Sequence, residues 1–591
     1  MSRRRVALAV IILAVTAIGL PFAASGDTVV STPEAAPSET AAESQPATTP
    51  SPQQRGTDDL ACPRPTEAET TASEPRIVEL YPNPTTHENV GEYLTLETPP
   101  ETSLENWTLT DGHTTAHLPN ETVSGRIAAT TAPKETRELT DEPVVELEGT
   151  LRLAVDGDEL ELRNGSKTMD TVSYDRAPTA ERWYRTEDAA DRNATVDETR
   201  RGVWWPRDAT CLPVSTTDVD DATAFVLPDS PDVARETIRD ADERLLLAGY
   251  TFTDDEIAAD LVAAVDRGVE VAVLLESGPV GGTPRATESV LETLEDGGVD
   301  VRVVGGEGAR YRFHHPKYAV ADDAVVVTTE NWKPSGVGGE SSRGWGVRVE
   351  DDELADELAA VFRADFEGWD TESGETFRED ASFVDDDPTP PRDFPTSHDP
   401  ETVPVDSVEL LLAPENAEPR LLELLEDADD EILIKQASIA PDVSLLEASV
   451  DAARRGVDVR ILLDSTWYVE DENEALAADL ERTAAAEDLP LEVRVVDGTD
   501  EFEKIHAKGV VIDRETAVVG SANWNDNSLQ HNREVLVALH GPRAASYYAS
   551  VFESDWKGEM WSLPIELSVT VVVVLVCAAL VGRRYVRFGA E

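Results

Sequence analysis

Two stretches of one pattern decide the fold of this chain: HPKYAVAD at residues 315–322 and HAKGVVID at residues 506–513. Each follows one of two earlier stretches that also match, RGVEVAVLLES at 267–277 and RGVDVRILLDS at 455–465. A helical pattern, then Arg-Gly, then a short apolar strand is a building unit of α/β folds. Because the unit occurs twice, the sequence predicts two similar α/β lobes.

The two motifs share the spacing His-x-Lys-x4-Asp. Residues two apart on a strand project from one face, so each motif directs an imidazole and an ammonium to one point. Phosphodiester cleavage through a covalent intermediate needs a nucleophilic imidazole, a second imidazole that protonates the leaving oxygen, and fixed cations. His315, Lys317, His506 and Lys508 supply these groups if the strands meet across a pseudo-dyad. Structural core histidines are the alternative; no cofactor and no metal site are predicted.

The second motif continues with Gly520, Ser521 and Asn523. With these residues it resembles the phospholipase D superfamily, and the similarity covers about residues 218–556. The resemblance implies that Glu534, in the stretch NREV, orients a catalytic histidine. In two-lobed relatives this acid reaches the opposite lobe, which makes Glu534 the expected partner of His315.

The resemblance also implies individual roles. His315 is the expected nucleophile and His506 the general acid that later activates water, although the reverse assignment stays open. Lys317 and Lys508 are expected to bind phosphate. The remaining motif residues are expected to assist them or to support the motif without reacting: Asn331, Asn523, Ser521, Asp322 and Asp513.

The first motif departs from this pattern. It has one residue fewer after Asp322, and Thr328 and Thr329 stand where Gly and Ser are expected. Thr329 can donate a hydroxyl as Ser does, but Gly346 is expected at the position of the acid. The sequence therefore predicts an asymmetric site with an acid in only one lobe. His314 is expected to face away from Lys317 and to be structural.

A different pattern precedes the lobes. Residues 76–176 alternate apolar and polar residues in short runs broken by Pro, Gly and Asn, which predicts a small β-sandwich. The segments IVELYPNP, GEYLTLE, LENWTLTDG, DGDELELRNG and MDTVSYD resemble, in this order, the lamin-tail domain, which has an immunoglobulin-like fold. The resemblance implies an accessory that binds or positions nucleic acid, the cell envelope or a protein.

The two ends of the chain predict export and a membrane tether. Residues 1–26 read as a signal peptide, with an uncleaved anchor as the alternative, and 27–75 as a disordered Thr/Ser/Pro/Glu-rich segment. Residues 563–582 are mostly apolar and precede Arg583 and Arg584, which predicts a transmembrane helix with a cytoplasmic tail at 583–591. The expected location is the cell membrane, single-pass, with most of the chain outside.

The predicted architecture is therefore multidomain. It consists of an immunoglobulin-like β-sandwich followed by two pseudo-symmetric α/β phospholipase D lobes, with a signal peptide and a C-terminal transmembrane helix. The sandwich is followed by a linker at 177–217, lobe 1 at 218–372, an acidic linker at 373–403 and lobe 2 at 404–560. Cys62 and Cys211 flank the sandwich and are predicted either to form a disulfide or to remain unpaired. A monomer with a pseudo-dimeric catalytic core is expected.

The charge balance is strongly acidic, with 118 Asp and Glu against 50 Lys and Arg and a formal charge of −68. This balance is typical of adaptation to molar salt. Near 1 M salt the Debye length falls to roughly 3 Å, so the acidic surface does not exclude nucleic acid. A hydrophobic content of 40% argues against a wholly disordered chain.

Three functions are consistent with these features. The first is an exported phosphodiesterase that uses a covalent phosphohistidine, with nucleic acid preferred as substrate because sandwich and lobes resemble exported nucleases. The second is a phospholipase D or phosphatidyl transferase, which the membrane tether favours. The third is an envelope-binding module with little or no catalysis, against which the retention of both His and both Lys argues.

Overall fold

The computed structural model describes residues 73–186, 202–385 and 392–557. None of the helices in these ranges is long and apolar enough to cross a membrane. The longest of them, Glu470–Glu487, has 18 residues but carries acidic side chains along most of its length. This finding contradicts the predicted architecture in one respect, its transmembrane helix. The expected signal peptide, low-complexity segment, apolar stretch 563–582 and tail lie outside the described residues.

The N-terminal part consists of two sheets that enclose an apolar core of residues such as Leu80, Leu94, Leu109 and Leu162. Its strands are β1 Arg76–Tyr81, β2 Tyr93–Ser103, β3 Trp107–Thr110, β4 Thr115–His117, β5 Thr122–Thr130, β6 Val144–Glu146, β7 Glu148–Gly149, β8 Asp158–Asn164, β9 Lys167–Tyr174, β10 Glu181–Arg185 and β11 Gly202–Pro206. One sheet has the order β11-β10-β1-β2-β5-β6 and the other β7-β4-β3-β8-β9. Short helices lie at His87–Asn89 and Pro133–Thr136. A two-sheet sandwich is thus present, and the resemblance to the lamin-tail domain stays a prediction.

Lobe 1 is built on a mixed sheet with the order β21-β17-β15-β14-β18-β19-β20-β13-β23. Its strands are β13 Asp221–Leu227, β14 Arg244–Gly249, β15 Glu270–Glu276, β16 Thr283–Pro284, β17 Asp300–Val304, β18 Tyr318–Ala321, β19 Ala324–Thr328, β20 Ser342–Glu350, β21 Thr371–Ser373, β22 Phe383–Val384 and β23 Glu401–Pro404; β12, Ser215–Thr217, belongs to the sheet of lobe 2. The helices of this lobe are Asp232–Asp240, Asp255–Arg267, Arg285–Asp296, Asp352–Phe366 and Gly374–Asp380.

Lobe 2 repeats this plan in a sheet with the order β12-β24-β31-β30-β29-β25-β26-β27. Its strands are β24 Ser407–Ala413, β25 Glu431–Gln436, β26 Asp458–Asp464, β27 Leu491–Val496, β28 Lys504–Ile505, β29 Lys508–Ile512, β30 Thr516–Gly520 and β31 Glu534–His540, and its helices are Ala417–Glu426, Ser444–Arg455, Glu470–Glu487, Asp526–Gln530 and Pro542–Lys557. In both repeats the Arg-Gly pair ends a helix: Gly268 and Gly456 adopt φ values of 100° and 103°, which favour glycine.

The lobes share one apolar core. Its members come from both sheets and from the helices Asp352–Phe366 and Pro542–Lys557. Trp345 of lobe 1 lies so close to Gly509 of lobe 2 that a Cβ there would approach its ring to 2.3 Å. The Tyr548 hydroxyl donates a 2.6 Å hydrogen bond to the carbonyl of Gly346. The lobes therefore pack as halves of one body, in the way a homodimer interface resembles a core.

The two expected linkers contain regular structure. In 177–217, β10 and β11 extend the first sheet of the sandwich, and β12 pairs with β24 of lobe 2. In 373–403, the helix Gly374–Asp380 packs with lobe 1, and residues 401–403 pair with β13. These elements were missed because their pairing partners β1, β24 and β13 lie far away in the chain. Cys211 is disulfide-bonded, and its expected partner Cys62 lies outside the described residues.

Candidate active site

The two His-x-Lys segments meet at the interface of the lobes, each anchored to a strand of the opposite lobe. The amide of His315 donates to the carbonyl of Arg533, and the amide of His506 donates to the carbonyl of Arg343, both at 3.0 Å. Arg343 and Arg533 occupy equivalent positions at the starts of β20 and β31. The pseudo-dyad expected from the repeat is therefore built from backbone hydrogen bonds, which fix both imidazoles against one cleft.

His315 and Glu534 form the expected pair across the interface. Nδ1 of His315 lies 2.8 Å from Oε2 and 3.0 Å from Oε1 of Glu534, and this carboxylate is fully buried. Asn532 donates a further 3.0 Å hydrogen bond to the same carboxylate. A carboxylate on Nδ1 fixes the tautomer and leaves Nε2 as the reactive nitrogen. Burial lowers the pKa of His315 to about 4, although Glu534 opposes this shift.

His506 also has an acidic partner, which the sequence did not predict. Oε2 of Glu330 lies 3.2 Å from Nδ1 of His506, an ion-pair distance without the aligned hydrogen bond that joins His315 to Glu534, and Glu330 is only 2% exposed. Burial lowers the pKa of His506 to about 3, with Lys508 acting in the same direction and Glu330 against it. The pKa of Glu330 lies below its usual value because His506 and the nearby lysines outweigh the effect of burial. The site therefore has one acid per histidine, and the expected asymmetry is wrong.

The expected placement of Gly346 at the acid position is also wrong, by two residues. The amide of Thr329 donates to the carbonyl of Trp345, and that of Ser521 donates to Val535, so Trp345 and Val535 correspond. The residue that corresponds to Glu534 is consequently Gly344. Gly346 instead faces the core, where a Cβ would lie 2.2 Å from the ring of Phe225. The segment from Thr329 to Trp345 is two residues longer than that from Ser521 to Val535, so the acid position cannot be found without knowledge of the strand pairing. The available sequence signal for the acid of lobe 1 was the Glu in TTEN, at the position where lobe 2 has Ala in GSAN.

The two lysines lie beneath the histidines. Nζ of Lys317 donates to the carbonyl of His315 at 2.5 Å, and Nζ of Lys508 donates to that of His506 at 2.7 Å. Both side chains are buried, which lowers the pKa of Lys317 well below its usual range and that of Lys508 to about 8. An anion between them would favour the charged forms of both lysines, since an opposite charge within about 5 Å favours ionisation. The pair is suited to holding the non-bridging oxygens of a phosphate.

Asp322 and Asp513 support the strands and do not face the cleft. Each carboxylate accepts three backbone amides of the turn before a parallel strand: 242–244 for Asp322 and 429–431 for Asp513. A second acid in each lobe fixes the segment before the histidine. Glu276 accepts the amide of His314, and Asp464 accepts that of Ile505. These carboxylates fix the backbone on either side of the catalytic segments, so the positions of the histidines are set by the sheets.

The hydroxyl residues also act on backbone. The Thr329 hydroxyl accepts the amide of Trp345, and the Ser521 hydroxyl accepts that of Val535, both at 3.0 Å. They therefore hold the strands that carry Gly344 and Glu534, which differs from the phosphate contact expected of Ser521. Asn331 and Asn523 follow them at equivalent positions and are partly exposed. Oδ1 of Asn331 is buried without a hydrogen-bond partner among the described residues.

A buried ionic network joins the lobes behind the histidines. Arg533 of lobe 2 donates two hydrogen bonds to Asp365 of lobe 1, at 2.9 and 3.0 Å, and one to Glu415 at 2.6 Å. His314 lies in this network with Nε2 3.4 Å from Asp365. The pseudo-symmetric pair is Arg343 of lobe 1 with Asp555 of lobe 2, at 3.2 Å. His314 thus faces away from the cleft, as its alternation with His315 predicts.

One wall of the cleft differs between the lobes. The ring of Tyr250, which follows β14, meets His315 edge to face at 4.5 Å, and Nζ of Lys317 lies 5.3 Å from the same ring. The Tyr250 hydroxyl accepts the amide of Val280 at 2.6 Å. Lobe 2 has Ala437 at the matching position. Within the described ranges, no group of three or more His, Cys, Asp or Glu is arranged to hold a metal ion.

Two lobes, two His-Lys pairs with buried lysines and one acid per histidine define a class of enzymes that act on phosphodiesters. A family model described as "Cardiolipin synthase, PLD-like domain" matches residues 234–366 and 421–556. These two segments therefore form a phospholipase D-like domain. The family match leaves the N-terminal sandwich outside.

Individual relatives are distant. Cardiolipin synthase B of Salmonella typhi is 25% identical over 333 residues, which cover 52% of this chain and 72% of the relative. Cardiolipin synthase A of Pseudomonas aeruginosa is 32% identical over 135 residues, which cover 23% of this chain and 26% of the relative. Among solved structures, phosphatidylserine synthase of Haemophilus influenzae Rd KW20 is 14% identical with a TM-score of 0.45, over 57% of this chain and 86% of that one.

Proposed function

We propose that this chain transfers or hydrolyses the phosphatidyl group of a phospholipid. The observation that carries the proposal is a pair of imidazoles, His315 buried and His506 partly exposed, each with its Nδ1 close to a buried carboxylate and with Lys317 and Lys508 beside them. The lipid substrate is supported by the family description and by the names of the related cardiolipin synthases. This support favours the phospholipid alternative over the preference for nucleic acid.

The proposed reaction has two steps. Nε2 of His315 attacks phosphorus, the bond to the headgroup oxygen breaks, and His506 gives a proton to that oxygen. The product of this step is a phosphohistidine on His315. In the second step His506 takes a proton from water or from an acceptor alcohol. The resulting oxygen attacks phosphorus, and the phosphorus–nitrogen bond breaks to release phosphatidic acid or a new phosphodiester.

The low pKa values of both histidines suit the role of nucleophile but not, by themselves, the role of general acid. A neutral His315 is ready to act as a nucleophile, since its pKa is about 4 in the free site. His506 must gain a proton before it can act as an acid, and its pKa is about 3 in the free site. The phosphate of the bound substrate brings negative charge close to the imidazole and so raises its pKa. In this mechanism, substrate binding therefore promotes the protonation of His506.

The test is an assay of the purified chain with chelator, at low and at molar salt, on phosphatidylglycerol vesicles, single-stranded DNA and duplex DNA. We expect release of the headgroup, or formation of cardiolipin, that persists in chelator and disappears in His315→Ala and His506→Ala. Labelled lipid phosphorus should be trapped on the unsubstituted chain by rapid quenching into alkaline denaturant, in which a phosphohistidine survives, and should be absent from His315→Ala. Cleavage of DNA without lipid turnover would refute the lipid substrate, and turnover that survives both substitutions would refute the mechanism.

A further inference from the structure

The partner of His506 comes from an unusual place in the lobe. Glu534 projects from the start of β31, whereas Glu330 lies in the turn after β19, between Thr329 and Asn331. The hydrogen bonds of Thr329 and Ser521 show that Glu330 corresponds to Ala522, and that Gly344 corresponds to Glu534. Each lobe thus has one acid and one small residue at these two positions, but in opposite order.

The two positions of lobe 1 fit each other sterically. A Cβ added to Gly344 would lie 2.3 Å from Cγ and 2.7 Å from Oε1 of Glu330. The side chain of Glu330 therefore fills the space that a side chain at position 344 would need. Gly344 has no positive φ, so backbone conformation does not require glycine there. Room for the Glu330 carboxylate is the structural reason for this glycine.

From this complementarity we infer that Glu330 is the positioning residue of His506, and that Glu330 with Gly344 replaces an acid at position 344. The carboxylate fixes the ring of His506 through Nδ1 and leaves Nε2 facing the phosphate. It also offsets the nearby charge of Lys508, which would otherwise disfavour the imidazolium. The inference rests on the proposed function for its activity readouts but concerns a residue that the family pattern does not place.

The direct test moves the acid. Glu330→Ala should lower kcat about 10³-fold, with a much smaller change in KM, because the substituted residue holds a catalytic group and does not touch substrate. Adding Gly344→Glu to Glu330→Ala should restore at least tenfold of the lost kcat. Gly344→Glu alone should be poorly active, because two side chains then compete for one space. Glu350→Gln is the matched control, because Glu350 lies at the exposed end of β20, the strand of Gly344, and it should leave kcat unchanged.

Two further readouts separate positioning from mere structural support. Glu330→Gln should move the alkaline limb of the kcat profile to lower pH, because loss of the carboxylate lowers the pKa of His506. Histidine-labelled protein, which has nine His, should show by NMR that the Nε2-reactive tautomer of His506 is lost in Glu330→Gln while its other histidines are unchanged. Circular dichroism and urea unfolding identify any variant that fails to fold.

The outcomes distinguish this inference from the proposed function. If Glu534→Gln and the histidine variants lose activity but Glu330→Gln retains at least half of it, the inference is refuted and the proposed function stands. A folded Glu330→Ala/Gly344→Glu protein with no more activity than Glu330→Ala also refutes it. If no lipid turnover is found in the unsubstituted chain, the NMR titration still decides, and an unchanged His506 tautomer in Glu330→Gln overturns the inference.

Discussion

The buried pair between Asp365 and Arg533 gives the sharpest stability prediction. Asp365→Asn replaces one carboxylate oxygen by an NH2 group, which then faces a guanidinium donor. Two hydrogen bonds of 2.9 and 3.0 Å are weakened or lost, and Arg533 remains fully buried. Removing one partner of a buried pair costs about 3–5 kcal/mol, and the remaining bond to Glu415 places the expected loss near 3 kcal/mol.

The loss should also depend on pH in a defined direction. Arg533 and His314 hold the pKa of Asp365 below its ordinary value, despite burial, so this carboxylate stabilises the fold above the pKa of the unfolded chain. The difference in unfolding free energy between the native chain and Asp365→Asn should be constant above about pH 5. It should shrink as the pH falls below about 4, where an unfolded Asp binds its proton.

Urea unfolding followed by tryptophan fluorescence measures this difference. Asp479→Asn, in an exposed pair with Arg482, is the control and should leave the transition unchanged. Because the carbonyl of Arg533 accepts the amide of His315, turnover should fall together with stability in Asp365→Asn. A loss below about 1 kcal/mol at pH 7, or one that grows in acid, would refute this account of the network.

Three other predictions concern the cleft and its support. Glu534→Gln should reduce kcat about 10³-fold and move the acid limb of kcat/KM to lower pH, because the carboxylate raises the pKa of His315; a limb that moves upward would contradict the pairing. Lys508 has a pKa of about 8, so KM should rise above that pH in the native chain but remain high and flat with pH in Lys508→Met, as initial rates would show. Asp513→Ala leaves three backbone amides at residues 429–431 without their acceptor and should lower the unfolding free energy by about 2 kcal/mol in urea titrations. A loss of activity without a loss of stability would indicate instead that Asp513 takes part in the reaction.

Much of this fold was predictable because its signals are local and repeated. The duplicated Arg-Gly strand units and the two His-x-Lys motifs indicated two lobes and a shared cleft. The alternation of apolar and polar residues in 76–176 indicated the sandwich. In each case the periodicity of one segment carries the information, so no contact with a distant segment had to be known.

The errors arose where the information is not local. The acid at Glu330 was missed because it was sought on the later strand, where lobe 2 has Glu534, and because strand register is set by hydrogen bonds such as that between Thr329 and Trp345. β23 was taken for linker because its pairing partner β13 lies about 180 residues away in the chain. The prediction of a membrane-spanning helix rested on hydropathy and on the arginines that follow the apolar stretch. The substrate preference rested on analogy, since the catalytic groups are the same for any phosphodiester.

The carbonyls of Arg343 and Arg533 each hold the histidine of the other lobe, so neither half can form a working cleft by itself. In a symmetric dimer of two identical chains, every substitution alters both half-sites at once. A shift of the acid from one strand to a neighbouring turn would then have to succeed twice in the same step. Joining both halves in one polypeptide removes that restriction. Lobe 1 could acquire its Glu330 and Gly344 while lobe 2 kept Ala522 and Glu534. Duplication within one chain thereby allowed each half-site to change while the other half-site stayed intact.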